Sequence, residues 1–263
     1  MLLLSLQLLL TGIGAGLLAG LLGIGGGLVT VPALTWILLN NGTPIDQAVA
    51  MAVATSLGAM LLTSASAIWF HDRRGGVDWT CVARLAPAVG LGALAGAWLA
   101  TELSGPALAR VFAVAAAIIG LRMILAKQST RYATERAAFP RGWYVAGPLI
   151  GALSSMIGIG GGSFNVPYLA HNGYAMVRAV AIASACGWPI AAGGVVGFVV
   201  LGWHEDFRPW SLGYLYGPGC LLIGLAGASA APFGVALAHR LPARGLRRLF
   251  GIALVGVAVR MAW

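Results

Sequence analysis

A five-residue glycine knot occurs twice in this chain, 135 positions apart: Gly23-Ile24-Gly25-Gly26-Gly27 followed by Pro32, and Gly158-Ile159-Gly160-Gly161-Gly162 followed by Pro167. The copies extend beyond the knot. Gly16 to Leu34 reads GLLAGLLGIGGGLVTVPAL and Gly151 to Leu169 reads GALSSMIGIGGGSFNVPYL. The far ends match as well, Arg110-Val111-Phe112 with Arg248-Leu249-Phe250 and Arg122-Met123 with Arg260-Met261. Three matches in the same order mark an internal duplication.

The knots lie inside apolar stretches, so a break in the backbone there is costly. Apolar residues make up 59% of the chain and charged residues 9%, against about 25% charged in ordinary soluble domains. The charges fall between apolar runs of roughly 20 residues, each long enough to cross a bilayer. The pattern predicts an all-α polytopic membrane protein with about ten helical segments. The net charge of +9 does not signal nucleic-acid binding, because the basic residues sit in loops and form no stripe interleaved with aromatics. Cys81, Cys186 and Cys220 have no CxxC spacing and read as packing residues. His71, His171, His204 and His239 fall at span ends or in loops, with no spacing that demands a metal. Neither metal nor cofactor is expected.

The runs predict spans over about 2–22, 48–70, 80–100 and 107–126, then over 142–157, 176–201, 211–238 and 245–261. The segments after the knots, 32–40 and 167–171, are too short to cross. Nine helical residues rise about 13 Å, less than half of a roughly 30 Å hydrocarbon core. The economical geometry is a re-entrant hairpin that turns at the knot, so each half is one hairpin plus three crossings. With three crossings per half, the second half (141–263) enters the membrane upside down relative to the first (1–126), across a linker at 127–140.

Charge counting favours this inverted-topology repeat. It places Arg73, Arg74, Arg84, Arg122, Lys127, Arg131, Arg136, Arg141, Arg178, Arg240, Arg244, Arg247 and Arg248 on one face, 13 of the 16 basic residues. The other face keeps Arg110, Arg208 and Arg260 with Asp46, Glu102, Glu205 and Asp206. The positive-inside rule then makes the basic loops cytoplasmic, with both termini outside a cell (inner) membrane. Four crossings per half in parallel orientation would divide the basic clusters between the two sides.

In lipid, a helix break is tolerated only where protein or a water-filled cavity satisfies the freed peptide groups. After each knot stands an N-cap residue type, Thr30 or Asn165, and two positions later Pro32 or Pro167, expected in the first helical turn. Each short arm is thus expected to begin near the midplane and to present unpaired N–H groups and a positive dipole end. Two such ends suit a small anion, and no central segment carries an acid that would suit a cation. Candidate substrate-binding residues are Gly25, Gly26, Gly27, Thr30, Gly160, Gly161, Gly162, Ser163 and Asn165. Thr55, Ser56, Ser184 and Cys186 fall near matching depths and can add hydroxyl or thiol donors, although hydroxyls in membrane helices often bond their own backbone. Arg84 either snorkels to the interface or gates the cytoplasmic mouth. The pairs Gly16 and Gly20, Gly92 and Gly96, and Gly193 and Gly197 read as helix-packing motifs. A dinucleotide fingerprint is excluded, because Leu28 and Ser163 stand where its third glycine is required.

With these duplicated Gly-x-Gly-Gly-Gly motifs and their prolines, the full chain resembles the TauE/SafE family of sulfite exporters. The resemblance implies a permease for sulfur-containing anions: sulfite, thiosulfate or organosulfonates such as sulfoacetate. A secondary transporter working by alternating access is the leading expectation. The alternatives are a passive anion channel and an uptake permease for thiosulfate or related compounds. An intramembrane enzyme is not expected, since Cys186 and the hydroxyls have no histidine or buried acid at matching depth.

Overall fold

The computed structural model of the chain describes residues 2–22, 26–125, 142–204, 208–238 and 243–262. Among them are ten α-helices and one two-stranded hairpin. The first half contains α1 (Leu2–Leu22), α2 (Gly27–Asn40), α3 (Ile45–Asp72), α4 (Trp79–Thr101) and α5 (Gly105–Leu125). The second contains α6 (Trp143–Ile157), α7 (Gly162–His171), α8 (Met176–Leu201), β1 (Ser211–Leu212), β2 (Leu215–Tyr216), α9 (Gly217–Ala238) and α10 (Ala243–Ala262). Six of the helices are long and apolar enough to cross a membrane. The linker at 127–140 and the residues Gly23, Ile24 and Gly25 of the first knot lie outside the described residues.

The duplication is visible in how the halves pack. The first helix of each half lies against the fourth of the other: α1 packs on α9 and α6 on α4. The equivalent helices α3 and α8 meet at the centre, and α5 meets α10. Along α3 and α8, Gly187 lies against Ser64 and Gly194 against Leu57, so the two helices run antiparallel. In the same way Gly120 faces Leu254 and Val255, while Gly251 faces Met123 and Ile124, so α5 and α10 are antiparallel too. Equivalent helices in opposed directions are what an inverted repeat requires. The alanine-rich stretch Ala48–Leu57 of α3 is buried throughout, because small side chains let neighbouring helices pack closely around α3, among them α2, α8 and α9.

The glycine pairs read as packing motifs do pack. Gly16 lies on the Gly227 backbone, Gly92 on Pro148, Gly96 on Ala152 and Gly193 on Gly90. Loop contacts sort the two faces. On one, Arg178 pairs with Asp78 at 3.6 Å and Arg73 stacks over Trp69 at 3.9 Å. On the other, the Asp46 carboxylate accepts from the Gly105 amide at 3.0 Å and Arg208 donates to Thr43 at 3.1 Å. Exposed tryptophans mark both ends of the bundle, Trp69 and Trp79 on the first face and Trp98, Trp203 and Trp210 on the second, as amphipathic rings do at the headgroup level.

Two sequence expectations need correction. The run expected from Ser211 begins with a β-hairpin, and the helix starts only at Gly217; a buried bond from the Tyr216 amide to Thr55 Oγ1 (3.0 Å) ties this hairpin to α3. The first hairpin is lopsided, as the spans expected over 2–22 and 142–157 imply, since α1 has 21 residues and its counterpart α6 has 15. Gly26 lies against Ala15 in the middle of α1, so α1 continues past the level at which α2 begins. Finally, the short arms start four residues earlier than their cap residues suggested, so that α2 has 14 residues and α7 has 10. They rise about 21 and 15 Å, still short of a crossing.

Candidate functional site

The second knot shows how the break is built. Gly158 ends α6 in the left-handed conformation, at φ 68°. The Ile159 amide donates to the Ser154 carbonyl at 2.9 Å and the Gly158 amide to that of Ser155 at 3.1 Å, a Schellman closure that needs glycine at the left-handed position. Ile159 is fully buried, and α7 begins three residues on.

The cap is glycine in both copies. Gly26 (φ −76°, ψ −12°) precedes α2 and Gly161 (φ −53°, ψ −16°) precedes α7. The Gly26 carbonyl accepts from the amides of Val29 and Thr30, both at 3.0 Å, and from Thr30 Oγ1 at 3.1 Å. Thr30 and Asn165 are therefore not caps. They occupy the fourth helical position, and Pro32 and Pro167 the sixth, inside α2 and α7 and beyond the first turn. The physical reason is space, because a side chain at Gly26 would press on Ala15, which lies 3.1 Å from the Cβ position.

The two knots touch. Gly27 packs on the Gly158 carbonyl, and that same oxygen accepts a buried bond from Ser56 Oγ at 2.9 Å. Above this contact opens a cavity of about 340 Å³. Gly26, Gly27, Gly160, Gly161 and Gly162 form its floor, with Thr30 and Ser56 beside them. Its walls run along α3 through Ser64 and Phe70 to His71 and Arg74, along α8 through Ser184 and Gly187, and along α1 and α9. Both short arms present their N-terminal ends to it, where the first amides of a helix have no intrahelical acceptor. Among the described residues, no carboxylate lines the cavity and Arg74 is its one permanent charge.

The other expected residues stand elsewhere. Gly25 lies outside the described residues. Ser163 and Asn165 are on α7 but off the cavity wall, and Cys186 is fully buried away from it. Arg84 is exposed on α4 and does not line the cavity; the cation at its mouth is Arg74, in the turn after α3. Ser184 lines the wall, yet its hydroxyl donates to the Val180 carbonyl at 2.9 Å, and Thr55 is engaged by Tyr216. No group of three or more histidine, cysteine or acidic side chains is placed to hold a metal among the described residues.

A duplicated bundle of membrane-length helices, closed around a central cavity between two helix breaks, is the architecture of a polytopic membrane transporter. The sequence comparisons agree. A model of the family described as "Sulfite exporter TauE/SafE" matches residues 8–261, and the chain belongs to that family. It is 33% identical over 254 residues to a probable membrane transporter protein of Haemophilus influenzae, covering 96% of each chain. A second relative with that description, from Methanocaldococcus jannaschii, is 25% identical over 255 residues, covering 95% of this chain and 92% of its own. A third, from Xylella fastidiosa, is 26% identical over 270 residues, covering 98% and 97%. No solved structure matches.

Proposed function

We propose that this protein is a secondary transporter that exports sulfite or a small organosulfonate, binding the anion at the midplane between the two knots and working by alternating access. The single observation that carries the reading is the composition of the cavity. Two helix N-termini converge at its floor, an arginine stands at its mouth, and no carboxylate faces it among the described residues; the Thr30 and Ser56 hydroxyls beside them donate to the Gly26 and Gly158 carbonyls and help to fix the two breaks. Dipole ends and free helix-terminal amides hold a small oxyanion without a lysine or arginine buried at the centre. The family membership supports a sulfur-containing anion.

Arg74 lies on the face that gathers the basic loops, so under the positive-inside rule the cavity opens to the cytoplasm. This is the orientation in which an exporter loads. Both termini then lie outside, and the repeats 1–126 and 141–263 are related by inversion through a cytoplasmic linker at 127–140.

The test is a panel of sulfite, sulfate, thiosulfate and short sulfonates, measured by calorimetry and by flux in proteoliposomes. Saturable sulfite or sulfonate flux with counterflow is expected; currents far above carrier turnover would mean a channel instead. Arg74→Glu should weaken sulfite binding by about three- to ten-fold at low salt, and the loss should fade at high salt as exposed charges are screened. An unchanged affinity at low salt would remove Arg74 from the path.

A further inference from the structure

In the first repeat the open cavity is lined by Ala19, Gly20, Gly26 and Thr30. Their counterparts 135 positions later are Ser154, Ser155, Gly161 and Asn165. The Ala48-Val49-Ala50 run of α3 matches Ala179-Val180-Ala181 of α8, so Ala59 and Thr63, also on the cavity wall, correspond to Ile190 and Gly194. In the second repeat these positions are packed shut, apart from Gly161, which also borders the floor of the open cavity. The Cβ position at Gly194 lies 2.8 Å from Ser155 Oγ and 2.7 Å from a Leu57 methyl, and that at Gly161 lies 2.6 Å from Asn165 Nδ2 and 2.9 Å from Ile190 Cδ1. Ile190 and Gly194 stand one turn apart on α8, beyond the stretch Val180–Gly187 that faces the open cavity. The same helix thus runs from the open cavity to the closed cluster.

The polar atoms of this cluster are what set it apart. Ser154, Ser155 and Asn165 are 0% exposed, and their hydroxyl and amide atoms have no hydrogen-bond partner among the described residues. Each buried polar group left so costs about 1–3 kcal/mol. The first repeat avoids that cost at matching positions, with Ala19 and Gly20 carrying no polar side-chain atom and the Thr30 hydroxyl bonded to Gly26. Opening the cluster would give these atoms water or a ligand to bond, which is one way such a cost is recovered.

We propose that Ser154, Ser155 and Asn165 line a second oxyanion station on the far side of the knots, shut in this conformation by Leu57 and Ile190. The inference rests on the transporter reading above and names the residues that receive the anion once the cavity has closed behind it. Inverted repeats supply the geometry, since exchanging the conformations of the two halves opens the second cluster toward the opposite face.

The experiment is directional thiol labelling in proteoliposomes, with Cys81, Cys186 and Cys220 replaced and Ser155→Cys introduced. A membrane-impermeant methanethiosulfonate should modify Ser155→Cys from the face of Arg208. The control Ser64→Cys, in the open cavity, should react from the face of Arg74. Adding Ile190→Ala should raise the Ser155→Cys labelling rate about ten-fold. Reaction of Ser155→Cys only from the Arg74 face, or from neither face, overturns the second station. Should Ser155→Cys elute as aggregate, Ser154→Cys is scored by the same outcomes. Sulfite flux by the cysteine-free parent is read in the same vesicles without labelling, and its absence counts against the transporter reading, separately from the labelling result.

Discussion

Gly27→Ala is expected to abolish the fold at the centre of the molecule, giving aggregated protein in size-exclusion chromatography and a large fall in the thermal midpoint of whatever remains. The added methyl group would sit on the Gly158 carbonyl and 3.0 Å from the Ile159 Cα. Both obstacles are backbone, and neither can turn aside. Gly158 is fixed by its left-handed conformation, by the Ser56 bond, and by the Val53 Cα 3.1 Å from its own Cβ position. Overpacking a well-filled interior costs about 1–3 kcal/mol, and more where no side chain can repack. Gly26→Ala, one residue earlier, should destabilise less, since Ala15 at 3.1 Å has to move by only a few tenths of an ångström. Equal thermal midpoints for the two variants would show that the knots are not packed backbone to backbone.

Much of this architecture was legible because membrane length and duplication are both written in one dimension. The apolar runs anticipated most helix boundaries to within a few residues, and the matched knots led to a contact between Gly27 and Gly158 that composition alone would not suggest. The cap positions were hidden for a physical reason. Threonine and asparagine are good cap residues, but a glycine wins wherever a neighbouring helix leaves no room for a side chain, and the pressure of Ala15 on Gly26 is a tertiary fact. Arg84 and Arg74 were separable only once it was known which helix lines the cavity. The depth of a residue below the membrane face says nothing about the side of the helix on which it stands. Cys186 and Thr55 share the depth of Ser56 but point away from the cavity, one into packing and the other to the Tyr216 amide. Ser154 and Ser155 gave no signal because two serines among glycine and alanine look like packing, and only their burial without partners separates them.

Gly187→Phe should produce the opposite phenotype from Gly27→Ala, a folded protein that no longer binds its anion. Gly187 is the repeat counterpart of Ser56 and lies on the cavity wall. The nearest atom to its Cβ position is Ser64 Cβ at 3.8 Å, an ordinary contact that requires nothing to shift. It also lies inside the long helix α8, where replacing glycine by a residue of better helix propensity gains a few tenths of a kcal/mol. The phenyl ring has one place to go, into the cavity of about 340 Å³ above the knots, where it covers the helix N-termini and displaces whatever they hold. Sulfite binding by calorimetry should therefore fall by more than about a hundred-fold, equivalent to roughly 2.7 kcal/mol, while the thermal midpoint stays within a few degrees of the parent. Wild-type affinity in a folded Gly187→Phe protein would place the anion site away from the knots. Loss of binding with loss of fold would assign the position to packing. A glycine with room in front of it and a glycine with none stand on opposite sides of the same central contact, and their substitutions separate what holds the halves together from what the space between them binds.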